Sequence, residues 1–276
     1  MNADLHCHST VSDGQLAPAV VAQRAHTGGV TLWSLTDHDE VGGQAQAREA
    51  AAALGMRYLS GVEISVTWAS RTVHIVGLNI DPQNVDLVAG LARTRNGRAA
   101  RAEAIAERLA ELGIPDAYAG ALEFVSNPDL ISRTHFARFM VEKGYAASTQ
   151  DAFTRFLGDG KPGYVPHRWA KLEDALRWIK GAGGEAVIAH PGRYAYSPLE
   201  FDALFGEFID LGGKAIEVVT GSHTPDQYAE YAAVARRYGF EASRGSDFHA
   251  PGPDSIELGS LPPLPDYLTP VWERWL

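Results

Sequence analysis

Ala3-Asp4-Leu5-His6-Cys7-His8 opens the sequence as a short apolar run with polar side chains at alternate places, and Ser9, Ser12, Asp13 and Gly14 follow it. Such a run reads as a β-strand. On a strand, residues i and i+2 point to the same face, so His6 and His8 can approach one cation while Cys7 faces the opposite side. Asp13 lies in the loop Ser12-Asp13-Gly14, where glycine permits a tight turn.

Further strands are expected at 31–36, 57–66, 73–80, 185–189, 214–219 and 240–246. Most are short apolar runs, as in strands buried on both faces. Helical stretches alternate with them at 18–27, 43–54, 172–181, 198–211 and 225–238, several followed by glycines suited to helix C-caps. Strand–helix alternation predicts a parallel α/β sheet, and seven strands suggest a closed or nearly closed barrel. Only Thr67 to Thr72 separate the third and fourth strands, too few residues for a helical crossover, so a hairpin is expected there. Between 87 and 166 no strand-like run occurs. This segment reads as a helical insertion capping the barrel mouth, which leaves 1–86 and 167–276 to form the barrel. The Pro-rich tail, 262–270, is expected to wrap the surface.

The polar motifs recur where strands end: Thr36-Asp37-His38-Asp39, Gly61-Val62-Glu63, His74, His190-Pro191 and Ser246-Asp247-Phe248-His249. In parallel α/β barrels the reactive groups gather at the carboxyl ends of the strands, so these side chains should converge on one mouth. Nitrogen and oxygen ligands without thiolate suit Mn²⁺, Zn²⁺ or Fe²⁺. The single cysteine excludes a disulfide framework and a Cys-rich zinc site. No apolar run is long enough for a membrane span, and the polar opening residues do not form a signal peptide. A cytoplasmic location, with no membrane or obligate protein partner, is expected. The net charge of −10 argues against long nucleic acid as a partner. An anionic substrate must therefore be attracted locally, by cations or a few arginines.

These motifs, together with Arg133-Thr134-His135, resemble the PHP (polymerase and histidinol phosphatase) superfamily, and they span almost the whole chain in that family's order. The resemblance implies a distorted seven-stranded (β/α) barrel. It also implies two or three divalent cations, Mn²⁺ foremost. His6, His8, Glu63 and Asp247 would hold one cation. Glu63 would bridge to a second, held also by His74 and His135. Asp13, His38 and His249 would hold a third, or touch the substrate. Asp13 stands where some PHP groups carry histidine, which puts the third site in question.

The chain is most similar to small stand-alone bacterial PHP phosphoesterases, through Arg98-Ala99-Ala100-Arg101-Ala102 with Ile105 and Leu109. That likeness implies removal of the 3′-phosphate from nucleoside 3′,5′-bisphosphates. The alternatives are a 5′→3′ exoribonuclease on short RNA, a histidinol phosphatase, or a non-catalytic PHP module. Asp13, His38, His190 and His249 are the expected catalytic groups, with His190 as an acid or phosphate donor. Arg98, Arg101, Arg133 and Arg193, which can fork onto a phosphate, and Ser222 and His223 are the expected substrate-binding groups.

Overall fold

The computed structural model describes residues 1–252 and 255–276. The chain forms two compact units, one comprising Met1–Ala92 with Trp169–Leu276 and the other Arg93–Arg168. The sequence placed this division at 87 and 166. The difference arises because Leu87 and Leu91 are fully buried in the same hydrophobic cluster as Leu176, Trp178 and Ile179, so the first turns of that helix belong to the first unit.

The first unit is a mixed α/β fold. Its strands are β1 (Ala3–Asp4), β2 (Leu32–Trp33), β3 (Arg57–Tyr58), β4 (Gly61–Trp68), β5 (Arg71–Leu78), β6 (Glu185–Ile188), β7 (Ala215–Thr220) and β8 (Glu241–Gly245). They form a parallel sheet β1-β2-β3 and a five-stranded sheet β4-β5-β6-β7-β8. In the second sheet β5 runs antiparallel to both β4 and β6, and the other pairs are parallel. Isolated bridges Cys7↔Phe248 and His38↔Glu63 link the sheets at both edges. Among the described residues there are thus eight strands in two sheets, where the sequence predicted seven in one barrel. The extra strand arises because the predicted run 57–66 divides: its first part pairs with β2 and its second with β5. The first predicted strand shortens likewise. Beyond Asp4 the chain stays extended but pairs only by single bonds, such as Leu5 N–H to the Arg244 carbonyl at 3.0 Å.

The expected hairpin joins β4 to β5 through Ala69 and Ser70, both at positive φ, as a tight two-residue turn compatible with strand twist requires. The unit's principal helices are α1 (Pro18–Thr27), α2 (Gln44–Ala53), α3 (Val85–Arg95, which runs past Ala92), α4 (Leu172–Gly181), α5 (Pro198–Asp210) and α6 (Pro225–Tyr238). Capping boxes start two of them: Ser197 with Glu200 on α5, and Thr224 with Gln227 on α6.

The tail does more than wrap the surface. Leu268, Val271 and Trp272 are buried. The Arg244 guanidinium donates to the carbonyls of Leu261, Pro262 and Ala3, tying the tail to the first strand.

The second unit is all-helical among its described residues, with its own core built from Ile105, Leu109, Phe136, Phe139, Met140 and Leu157. Gly97, whose φ of 94° is open to glycine, precedes the helix Arg98–Glu111.

Candidate metal centre

Strand ends of the first unit bring together His6, His8, Asp13, His38, Glu63, His74, His190, Asp247 and His249. Their donor atoms fall into four overlapping groups, each within 4.8 Å: His8, Asp13, His38 and His249; His6, His8 and Asp247; His6, Glu63 and His190; His38, Glu63 and His74. Glu63 is the hub. Its Oε1 lies 2.9 Å from His74 Nδ1, 3.0 Å from His190 Nε2 and 3.3 Å from His6 Nε2. Its Oε2 lies 2.9 Å from His38 Nδ1 and 3.3 Å from His8 Nε2. Asp247 Oδ1 approaches His6 Nε2 at 3.6 Å and His8 Nε2 at 3.4 Å. Asp13 Oδ1 stands 3.4 Å from His249 Nε2 and 3.9 Å from His38 Nε2. The i, i+2 reading of the first strand matches this arrangement. Cys7 points the other way, its thiol donating to the Ser34 carbonyl and accepting from Trp33 Nε1–H.

The backbone is unusual at three of the strand ends. Asp39, His190 and Asp247 all have positive φ, sparsely populated for residues other than glycine. Such conformations persist where surrounding contacts over-determine them. For Asp39 one such contact is its Oδ1, which accepts from Ser65 N–H at 2.8 Å.

The side chains set one another's protonation. Burial pushes the Glu63 carboxyl up, but His38, His74 and His6 outweigh it and hold it well below the ordinary range. Burial, helped by His249 and His38, lowers His8 to about 3. Burial, helped by Arg193, also lowers His190 to about 3. Burial works against protonation of His38 too, yet Glu63 and Asp13 prevail and raise it to about 9.

The donor set fits divalent cations. His8 Nδ1, His38 Nδ1, His74 Nδ1, His190 Nδ1 and Glu63 Oε2 are buried without hydrogen-bond geometry to any partner, although Glu63 Oε2 is 2.9 Å from His38 Nδ1. Buried polar atoms are almost always satisfied. Imidazole nitrogens and carboxylate oxygens crowded together, several of them unsatisfied, are what cations of nitrogen–oxygen preference would satisfy.

Two supporting carboxylates were missed in the sequence. Asp37 accepts from Ser9 N–H, Ser9 Oγ–H and Ser12 Oγ–H at 2.6 to 2.7 Å, and so shapes the loop that carries Asp13. Glu217 lies 2.8 Å from His6 Nδ1 and accepts from His190 N–H at 2.6 Å. Its signal was available, as a lone carboxylate inside the apolar strand Ala215-Ile216-Glu217-Val218-Val219.

The remaining predicted residues divide into three situations. Arg193 Nη1 and Ser222 Oγ–H both donate to Asp247 Oδ2, at 3.2 and 2.8 Å, so both stand at the centre. His223 does not offer a ring nitrogen to a ligand: Nε2 accepts from Gly192 N–H at 2.9 Å and Nδ1 is 3.2 Å from the Val218 carbonyl oxygen. Arg98, Arg101, Arg133 and His135 belong to the second unit. Arg98 is buried. Burial and the Arg133 and Arg98 charges lower Arg101 to about 10. His135 is buried at the start of the helix Arg133–Glu142, and its Nδ1 accepts from Ser132 N–H at 3.0 Å.

A mixed α/β fold that gathers imidazoles and carboxylates around one central glutamate is suited to a metal-dependent hydrolase. The chain belongs to the PHP domain family, whose pattern matches residues 4–111. It is 48% identical over 273 residues to the 3′,5′-nucleoside bisphosphate phosphatase of Chromobacterium violaceum, covering 99% of this chain and 96% of that one. It is 42% identical over 274 residues to the 5′-3′ exoribonuclease Rnm of Escherichia coli, covering 99% and 93%. Among solved structures, an amidohydrolase from Chromobacterium violaceum with bound sulfate and no metal superposes with a TM-score of 0.95 at 48% identity, over 99% of this chain and 95% of that one. A protein from Bifidobacterium adolescentis described as a metal-dependent phosphoesterase superposes with a TM-score of 0.82 at 28% identity, over 98% and 92%. The chain is accordingly a phosphoric ester hydrolase with a divalent-metal site. No helix among the described residues is long and apolar enough to cross a membrane.

Proposed function

We propose that this protein removes the 3′-phosphate of nucleoside 3′,5′-bisphosphates. The observation that carries the hydrolytic part is the convergence of five imidazoles, His6, His8, His38, His74 and His190, on the two oxygens of Glu63. The substrate follows from likeness to the bisphosphate phosphatase over 99% of the chain. A relative that holds sulfate supports an oxyanion site. We read the two sheets as a distorted seven-stranded barrel, with β3 and β4 as one interrupted strand.

His6, His8, Glu63 and Asp247 would hold one cation, and Glu63 and His74 would contribute to a second. Asp13, His38 and His249 would hold a third when it is present. Mn²⁺ is the proposed metal. Such cations neutralise phosphate oxygens and make a water acidic enough to supply hydroxide near neutral pH. The protein's own groups do the rest. Glu63 keeps the imidazoles in register. When no third cation is present, His38 could give a proton from Nε2 to the departing 3′ oxygen. His190, lowered to about 3, is uncharged near neutral pH and is a poor acid, so a metal-facing role suits it better. Arg98, Arg101 and Arg133 would take the 5′-phosphate, because clustered guanidiniums match phosphate geometry.

A second reading, a 5′→3′ exoribonuclease on short RNA, is favoured by charge segregation. Residues 93–168 contain eleven Lys and Arg against nine Asp and Glu, although the whole chain is at −10. Arg133 also lies over the rings of Phe153 and Tyr164, an arrangement suited to a stacked base. Phosphate release from bisphosphonucleosides, mononucleotides and histidinol phosphate, set beside mononucleotide release from short RNA, all with added Mn²⁺, ranks these readings. Equal rates on mononucleotides and bisphosphates would overturn the first.

A further inference from the structure

We propose that Glu217 is a positioning residue that presents two imidazoles of the centre at once. This inference rests on the metal-dependent reading above and adds a residue to it. Glu217 sits on β7, only 1% exposed. A carboxylate buried in an apolar strand is costly unless its oxygens are engaged, and here each oxygen has a separate task. Oε1 is 2.8 Å from His6 Nδ1, and Oε2 accepts from the His190 backbone N–H at 2.6 Å.

The first contact selects a tautomer. An ionised carboxylate only accepts hydrogen bonds, so His6 must donate from Nδ1. Its Nε2 is then the nitrogen left to face Glu63 Oε1 at 3.3 Å, His8 Nε2 at 3.2 Å and Asp247 Oδ1 at 3.6 Å. That is the side on which a cation would sit. Carboxylate–imidazole pairs of this kind orient metal ligands and raise their basicity.

The second contact holds a backbone. His190 has φ 28° and ψ 58°, a conformation uncommon for a residue with a Cβ. Glu217 Oε2 secures its N–H in that state, and the His190 ring then reaches Glu63 Oε1 at 3.0 Å. One side chain on β7 therefore couples the first strand to the end of β6 across 211 and 27 residues of sequence.

Glu217→Gln tests this at nearly constant shape. An amide offers one acceptor and one donor where two N–H groups point, so one contact becomes N–H against N–H. Mn²⁺ titration calorimetry should show roughly 10- to 100-fold weaker binding, the range expected for loss of a ligand-orienting partner. The rise in melting temperature on adding Mn²⁺ should shrink. A purely structural carboxylate would lower the metal-free melting temperature and leave Mn²⁺ affinity intact, and that result overturns the inference alone. A wild-type protein that binds no divalent cation overturns both this inference and the reading beneath it. Should the variant fail to fold, ¹⁵N histidine spectra of the Zn²⁺-loaded wild type decide. Nδ1–H with coordination through Nε2 at His6 supports the inference, and coordination through Nδ1 overturns it.

Discussion

His223 Nε2 accepts the backbone N–H of Gly192 at 2.9 Å, which anchors the turn between His190 and Arg193 from below. The same turn is held by Gln227, whose side-chain amide donates to the Gly192 carbonyl at 3.1 Å. His190 and Arg193 both reach the centre from this turn. His223 thus acts on the site through the backbone, and its place in the sequence as a pocket-lining residue gives way to a supporting role.

His223→Leu should therefore strand a largely buried N–H. Such a loss costs about 1 to 3 kcal/mol, readable as a drop in denaturation midpoint. The pH dependence carries a sign. Burial lowers His223 to about 4 from its ordinary 6.5. The neutral form is favoured in the fold, so its contribution is complete above pH 6.5 and is lost as pH falls through 4. Melts between pH 4 and 7 should show a slope from this group in the wild type and a shallower one in the variant.

Glu63→Gln removes the charge that five imidazoles share. Metal content after dialysis should fall, and phosphatase rate should drop by more than about 100-fold, beyond what outer partners of metal ligands usually cost. Elemental analysis alongside the rate assay checks both. Full metal content at an unchanged rate would sink the bridging assignment.

Arg98→Ala should discriminate between substrates. A hydrogen bond to a charged group contributes about 1.5 to 3 kcal/mol, so kcat/KM on a 3′,5′-bisphosphate should fall by roughly 10- to 100-fold. A 3′-monophosphate should be affected far less. Equal losses on the two substrates count against a distal phosphate contact.

Gly245 ends β8 against the first strand. A Cβ there would lie 2.3 Å from His6 Cβ and 2.6 Å from His6 N. Gly245→Ala must push the first strand away, at a cost of about 1 to 3 kcal/mol for forced overpacking. Because His6 is the residue displaced, Mn²⁺ affinity should fall with stability. Retained affinity at lowered stability would show that the strand yields without moving the imidazole.

The pH–rate profile tests His38. Glu63 and Asp13, against the opposing effect of burial, raise His38 to about 9 in the metal-free protein. If it donates a proton to the leaving oxygen, kcat of the loaded enzyme has a limb that falls as pH rises. His38→Gln should lower the rate and abolish that limb, and a limb that survives the substitution assigns the proton elsewhere.

Much of the centre was legible before any coordinates. The spacing of His6 and His8 placed both rings on one face because a strand has a period of two, and the short link from 67 to 72 required the β4–β5 hairpin. Leu87 and Leu91 misled the domain boundary, because helical periodicity reports an apolar face but not which core that face enters. Division of the run 57–66 was invisible for a similar reason. Residues 57–58 and 61–66 have one local preference, and only their different partners, β2 and β5, separate them.

The sequence by itself determined which side chains can chelate and on which side of a strand they stand, since both depend on residue type and a local repeat. Tertiary structure alone decided that Glu217 serves His6 and His190, that His223 holds a backbone, and that Glu63 lies at the middle. Each of those relations joins residues far apart in the chain, and such distances are set by how sheets and helices pack, which no local pattern encodes.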